Sequence, residues 1–274
     1  MNSKNIRIRT SFKKTLTLFT LLIPVCFSCY RDVIDLDLED IEPQIVIEGI
    51  ITDQPGPYQV RISKTGNYNQ LKDFPPVSGA EVFINDNHGK SEMLREIRAG
   101  LYETQELQGM PGRTYTLKVN AEGKEYSASS RMPEALTLDY VGLNNYGWGF
   151  VLICAFTDRQ GIEDYCRLKI FKNEELVEKY LYQGRFNDGE QYIIDDFDVT
   201  FSLNDYAHVQ FLTLNKATYE YLSMLDSDEG GGNYDPELPE TIPVTWANPK
   251  TNLSNNALGY FSAHTVRNYT RIAR

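Results

Sequence analysis

The sequence predicts a mainly β protein in two parts: a β-sandwich over residues 44–133, then a second, mostly antiparallel β domain over 134–274 with one short helix. Three observations predict it. Short runs alternate apolar and polar residues, which puts every second side chain on one face of a strand. Clusters of Gly, Pro, Asn and Asp interrupt those runs at roughly the 8–12-residue spacing of sandwich proteins. One stretch carries the period of an amphipathic helix. With 41% hydrophobic and 12% aromatic residues the chain can fill its cores, so wholesale disorder is excluded.

In the first part the expected strands fall at 45–51, 58–63, 80–84, 100–103, 114–119 and 125–129, with turn-forming segments at 53–57, 85–89, 110–112 and 121–123. Met132 and Pro133 close it. The succession Val77-Ser-Gly-Ala-Glu-Val-Phe-Ile84, Gly100-Leu-Tyr102 and Gly112-Arg-Thr-Tyr-Thr-Leu117 is similar to immunoglobulin-like and carboxypeptidase-regulatory-like modules, a resemblance that implies a scaffold or spacer. The second part reads as strands at 136–141, 150–156, 165–171, 176–182, 193–203, 208–214 and 258–264. Asn215 is placed to cap a helix over 216–225, with Ala217, Tyr221 and Leu225 on one face. Residues 226–235, acidic and carrying Gly230, Gly231 and Gly232, read as a surface loop.

Residues 1–28 read as an export segment. Lys4, Arg7, Arg9, Lys13 and Lys14 form a basic head and residues 16–27 an apolar stretch, the two leading regions of a secretory signal peptide. A membrane-spanning helix needs roughly 20 apolar residues, and this run is shorter and holds Pro24. It ends in Val25-Cys-Phe-Ser-Cys29, which resembles the lipobox of bacterial lipoproteins. The resemblance implies lipidation of Cys29, because Ser28 before it is small, whereas Val25 before Cys26 is bulky. The alternative is an ordinary secreted protein cut nearby, with Cys29 left as a thiol. Removal of residues 1–28 takes five positive charges from a net charge of −11 and leaves −16, so acyl chains rather than the surface would hold the body at a membrane. Residues 29–43 alternate acid and aliphatic side chains and read as a tether.

Cys154 and Cys166 lie in two apolar-alternating runs separated by Asp158-Arg-Gln-Gly161. A hairpin centred on Gln160 would set them directly opposite one another, with Leu152, Cys154 and Phe156 sharing one face with Cys166, Leu168 and Ile170, and with Arg167 and Lys169 pointing away. A cross-strand disulfide and two thiols in contact both fit that arrangement, and the choice stays open.

No metal or cofactor is expected, and no catalytic residue stands out. The nucleophile, zinc and phosphate-loop motifs are absent from the sequence. His88, His208 and His264 are scattered, and each reads as structural. Asp195, Asp196 and Asp198 could bind Ca²⁺ but lack the glycine and spacing of a calcium loop, so a solvated strand edge explains them better. The acidic balance and the lack of a basic stripe argue against nucleic acid as a partner. Aromatic residues crowd around Asn144 and Asn145: Tyr140, Tyr146, Trp148 and Phe150. Rings beside amides suit sugars or peptides, which makes Asn144, Asn145, Tyr146 and Trp148 the ligand-binding candidates. The competing reading is that these rings begin a strand and cover the core.

Tyr219-Glu-Tyr-Leu222, Pro243, Asn248-Pro249 and Asn252-Leu-Ser-Asn-Asn-Ala-Leu-Gly-Tyr-Phe-Ser-Ala263, following Gly161-Ile-Glu-Asp-Tyr-Cys-Arg-Leu-Lys169, resemble the Bacteroidota lipoprotein family catalogued as domain of unknown function 4249. The resemblance covers nearly the whole chain after the leader. It implies an outer-membrane lipoprotein, anchored in the membrane through its lipid, that acts as a non-catalytic accessory or ligand-binding component of a TonB-dependent receptor in nutrient uptake. A small ligand or peptide is the expected cargo. The alternative is a structural or adhesive envelope lipoprotein. Tyr30 and Arg31 precede Asp32 and Asp35, which leaves the surface and periplasmic faces both open.

Overall fold

Alternation in the first strands decides which way the chain faces. In the computed structural model, which describes residues 42–66, 74–184, 189–228 and 249–274, β1 (Ile45–Thr52) buries Ile45, Ile47 and Ile51 and turns Glu48 and Ile50 outward. β2 (Gln59–Lys64) buries Val60 and Ile62 and exposes Gln59 and Arg61. The leader, Cys29, the tether up to residue 41 and the segment around Gly230 lie outside the described residues.

The first part continues with β3 (Glu81–Asp86), β4 (Ser91–Met93), β5 (Arg95–Arg98), β6 (Leu101–Glu103), β7 (Thr114–Ala121) and β8 (Lys124–Arg131). The second supplies β9 (Tyr140–Asn145), β10 (Phe150–Thr157), β11 (Tyr165–Lys172), β12 (Glu175–Gln183), β13 (Gln191–Ile194), β14 (Thr200–Phe201) and β15 (Tyr206–Leu214). Helix α1 (Lys216–Asp228) and the long β16 (Leu258–Ile272) complete the described chain.

One eight-stranded sheet, β12-β11-β15-β16-β1-β2-β6-β5, runs through both parts. Two four-stranded sheets cover successive stretches of one of its faces. The sheet β4-β3-β7-β8 closes a first core over Ile47, Ile51, Ile62, Ile84, Leu117 and Phe261. The sheet of β13, β10, β14 and β9 closes a second over Phe156, Leu168, Phe201 and Phe211. The protein is thus mainly β, with antiparallel sheets stacked as sandwiches around a common layer.

β16 makes that layer continuous. Its first half lies parallel to β1, from Val46 opposite Leu258 to Thr52 opposite His264, and its second half lies antiparallel to β15, from Thr213 opposite Thr265 to Tyr206 opposite Ile272. Gly259 has φ +89°, and a Cβ there would strike the Ile47 carbonyl, so the close approach of β1 requires glycine. The expected strand 258–264 is therefore only half of the real one. That half belongs to the first core, which draws Ala257, Phe261 and Ala263 across from the C-terminal part of the sequence.

The expected hairpin between the two cysteine runs does not form. β10 pairs with β9, β13 and β14, whereas β11 pairs with β12 and β15. Residues 158–164 instead cross from the small sheet to the large one. Asp158 N–H extends the β10–β13 ladder by donating to Glu190 O (3.0 Å), and Gly184 N–H extends β11–β12 by donating to Asp164 O (2.8 Å). Asp164 is buried and ion-paired with Arg159, which fastens the crossing. Elsewhere the second part departs from expectation at two strands. Leu136 and Leu138 are buried, but their N–H groups donate to Thr213 Oγ1 (2.9 Å) and Tyr269 Oη (2.8 Å) rather than to a ladder. The 193–203 strand is interrupted where Phe197 dips into the core, leaving Asp195, Asp196 and Asp198 exposed on the sheet edge.

Candidate functional site

Two surfaces present chemistry, and the sequence pointed to one of them. At the β9–β10 hairpin Tyr146 N–H donates to Gly149 O (3.0 Å), and Gly147 takes φ +82°, as the first central position of a type II′ turn requires. Asn145 Oδ1 accepts from Gly147 N–H (2.7 Å) and so builds the turn. Asn144 Oδ1 accepts from the Tyr140 hydroxyl (3.4 Å), and the Tyr140 ring lies across Gly142. Both amide oxygens are therefore engaged within the hairpin. The tip carries Tyr146 and Trp148, 55% and 69% exposed, with ring centroids 6.1 Å apart. Phe150 is buried. The rings at the tip thus do not cover the core. Tyr146 and Trp148 stand as two large, exposed rings on a tight turn.

Cys154 and Cys166 face the second core from the two opposed sheets, and both are buried free thiols. Cys154 stands opposite Val141 and Ile194, and Cys166 opposite Tyr182 and Thr213, so the direct opposition expected of them is absent. Burial pushes the Cys154 thiol up to about 12 and that of Cys166 well above its ordinary value. Burial therefore disfavours the thiolate at both positions.

The second surface lies on the outer face of the long sheet, opposite the cores. There Asn215 caps α1, its Oδ1 accepting from Thr218 N–H (2.9 Å), while its Nδ2 donates to Ser130 Oγ (2.9 Å) and Arg131 O (3.0 Å) of β8. The helix sits on the sheet through buried Thr218 and half-buried Tyr219, Tyr221 and Leu222, whereas Ala217 is exposed. The apolar stripe is therefore displaced from the expected Ala217, Tyr221 and Leu225. Tyr221 stacks on Tyr260 of β16 (4.5 Å, 25°).

Between α1 and the sheet opens a cleft of about 590 Å³, within the range of small-molecule sites. Its floor takes Tyr260, Ser262 and His264 from β16, Glu48 and Ile50 from β1, and Arg61 from β2. Arg167 and Lys169 of β11, the two side chains expected to point away from the core, arrive at the same face beside Leu212. Leu222 and Leu225 of α1 form the wall. A second depression of about 580 Å³ shares Glu48, Arg61 and Leu101 with it and adds Arg98 and the exposed Phe74.

Ser262 Oγ shares a hydrogen bond with His264 Nδ1 (2.9 Å) and lies 3.4 Å from Thr218 Oγ1. The pair has the look of a nucleophile and base, but the electrostatics argue otherwise. Burial, with Lys169 and Arg167 nearby, holds the His264 imidazole down at about 4, against which the Asp53 charge works only in part. A base that weak takes a serine proton poorly at neutral pH. The contact between Thr218 Oγ1 and Ser262 Oγ instead ties the start of α1 to β16. Asp53 itself is held below its ordinary value: burial raises it, but bonds from Arg267, Val266 N–H and Gln54 together outweigh that. Among the described residues, no group of His, Cys, Asp and Glu side chains could hold a metal ion, and no helix is long and apolar enough to cross a membrane.

Sequence reasoning missed the cleft because its residues come from β1, β2, β6, β11, β15, α1 and β16. The usable signal was the parity that sends Arg167 and Lys169 to the non-core face of an otherwise apolar strand.

Fold and surfaces together define a paired β-sandwich protein with a helix-flanked cleft on its shared sheet. The chain belongs to the family described as a domain of unknown function (DUF4249), whose model matches residues 31–270. The segment 252–263, the most distinctive part of the resemblance, is the seam of the fold. Asn252 donates to Phe261 O (2.8 Å) and accepts from Phe261 N–H (3.0 Å), and Ser254 N–H donates to Ser127 O (2.8 Å) of β8. No curated protein matches the chain. Among solved structures, the FN1–FN3 domains of chicken CNTN1 are similar at 9% identity, over 85% of this chain and 67% of that one, with a TM-score of 0.28. A DUF4785 family protein from Legionella pneumophila is similar at 10% identity over 62% of this chain, with a TM-score of 0.25. A pullulanase complexed with maltotriose, from Anoxybacillus, is similar at 13% identity over 61% of this chain, with a TM-score of 0.22. The chain spans 52% of the Legionella protein and 24% of the pullulanase.

Proposed function

We propose that the protein is an outer-membrane lipoprotein, held by acyl chains on Cys29, that serves without catalysis as an accessory or ligand-binding component of a TonB-dependent receptor in nutrient uptake. The observation that carries this reading is the leader itself, a basic head and an apolar run ending in Ser28-Cys29. The depressed basicity of His264 supports a binding role over hydrolysis, since Ser262 gains no competent base from it. The exposed Tyr146–Trp148 tip supplies a surface suited to a protein partner. That tip also supports the second reading, a structural or adhesive lipoprotein whose contacts lie with other surface molecules.

Detergent extraction from native cells tests both readings. A β-barrel receptor should co-purify with the full-length protein and be lost with Trp148→Ala at unchanged thermal stability. Repeated absence of a barrel while other envelope proteins are recovered favours the adhesive reading. An unacylated amino end at residue 29, seen by mass spectrometry, overturns the lipoprotein assignment.

A further inference from the structure

The cleft beneath α1 is lined by a buried side chain with one polar atom left unanswered. His264 lies on the cleft lining and is only 7% exposed, and its Nδ1 is taken by Ser262 Oγ. Among the described residues no hydrogen bond reaches its Nε2. The polar groups beside it are engaged with one another: Thr218 Oγ1 donates to Asn215 Oδ1 (3.1 Å) and lies 3.4 Å from Ser262 Oγ. A ring nitrogen buried without a partner is costly, and a ligand that pairs with it recovers that cost.

The character of such a ligand follows from the rest of the lining. Arg167 and Lys169 already have partners within the protein, and Glu48 stands opposite Arg61 in the β1–β2 register, so the cleft holds no spare charge for an ionised guest. Burial, with Lys169 and Arg167 nearby, keeps the His264 ring neutral at physiological pH. Its surroundings are mainly apolar, with Ile50, Leu212, Leu222 and Leu225 beside the stacked pair of Tyr221 and Tyr260. A flat ring suits walls of that kind, because aromatic faces pack by offset stacking and bury apolar area. A neutral imidazole offers one N–H and one lone pair, and a hydroxyl answers whichever of the two Nε2 presents.

We propose that this cleft binds uncharged phenol-like compounds, with the hydroxyl on His264 Nε2 and the ring against Tyr221, Tyr260 and Leu222. The volume of about 590 Å³ admits a ligand of one or a few rings. The inference concerns this cleft alone and holds whether or not the protein stands beside a receptor, so failure of the co-purification leaves it untouched.

The chain contains three histidines, which makes the ring signals of His264 a local reporter and those of His88 and His208 internal controls. Full-length protein carrying ¹⁵N-labelled histidine is titrated at neutral pH with 2-naphthol, with naphthalene, which lacks the hydroxyl, and with the charged 2-naphthoate. The expected result is saturable movement of the His264 Nε2 resonance by 2-naphthol, with His88 and His208 unmoved and the other two compounds binding about tenfold more weakly. Tyr221→Ala removes one ring of the stacked pair, and Leu225→Glu sets a charge on the exposed rim; each should weaken 2-naphthol about tenfold. Absence of a saturable His264 shift with 2-naphthol overturns the proposal. So does naphthalene or 2-naphthoate binding as tightly as 2-naphthol, or undiminished binding by both folded variants.

Discussion

The two halves of the molecule share one sheet and solve the same packing problem with different residues. The first fills its core largely with Ile, Val and Leu, and ties its loops down with tyrosine hydroxyls. Tyr58 donates to Thr52 O (2.6 Å), Tyr102 donates to Val77 O (3.1 Å), and Tyr115 accepts from Met110 N–H (2.7 Å). The second fills its core with rings, Phe156 lying 4.9 Å from Tyr182, 5.2 Å from Phe211 and 5.9 Å from Tyr192. In the second, β10 and β11 go to different sheets, and large rings span the space between them, each pair adding about 0.5–1.5 kcal/mol beyond its buried area.

The largest test of that contrast is Phe156→Ala, which removes the hub of the ring cluster and should cost about 3–5 kcal/mol. Urea unfolding followed by tyrosine fluorescence and by far-UV circular dichroism should still show one coincident transition, because β16 belongs to both cores. Two separated transitions would mean the halves are independent.

A smaller effect is expected from acid. Burial holds His264 at about 4 in the folded protein against an ordinary 6.5, so on acidification the unfolded chain takes up the proton first. Its contribution to stability is complete above pH 6.5 and falls away as the pH drops toward 4. Lys169 and Arg167 act in the same direction and Asp53 against it. His264→Gln should flatten that part of the stability profile; an unchanged slope would show that the ring titrates freely in the native state.

The smallest expected effect is at the helix start. Asn215→Ala removes the cap on α1 and the bonds to Ser130 and Arg131, and should cost about 1–2 kcal/mol, while Asn215→Asp keeps the cap and loses only the donors to β8. Equal stability of the two variants would place the whole contribution in the bonds from Asn215 to β8.

How much of this was legible follows the same division. In the first half the alternation in β1, β2, β3, β7 and β8 marked each strand, since every one of them has a sequence neighbour as its partner and one solvated face. Short edge pieces such as β4 and β5, three and four residues long, carried too little pattern to be found. In the second half the strand runs were visible but their pairing was not: the turn chemistry of Asp158-Arg-Gln-Gly161 suits a hairpin, and nothing local records that Asp158 and Asp164 are buried at the two ends of a crossing between sheets. The parity of Cys154 and Cys166 was readable, because it depends only on each strand. Their opposition was not, because it depends on which strands meet. The exposed tip could be picked out by its Asn, Gly and aromatic residues, whereas the cleft needed seven elements to converge.

β16 has a consequence in time. Val46 finds its partner only at Leu258, so β1 spends most of chain synthesis with one side of its ladder unanswered. Closing so long a loop is entropically slow, and until it closes that bare edge can recruit another chain. Both halves are left incomplete until β16 is in place beside β1 and β15.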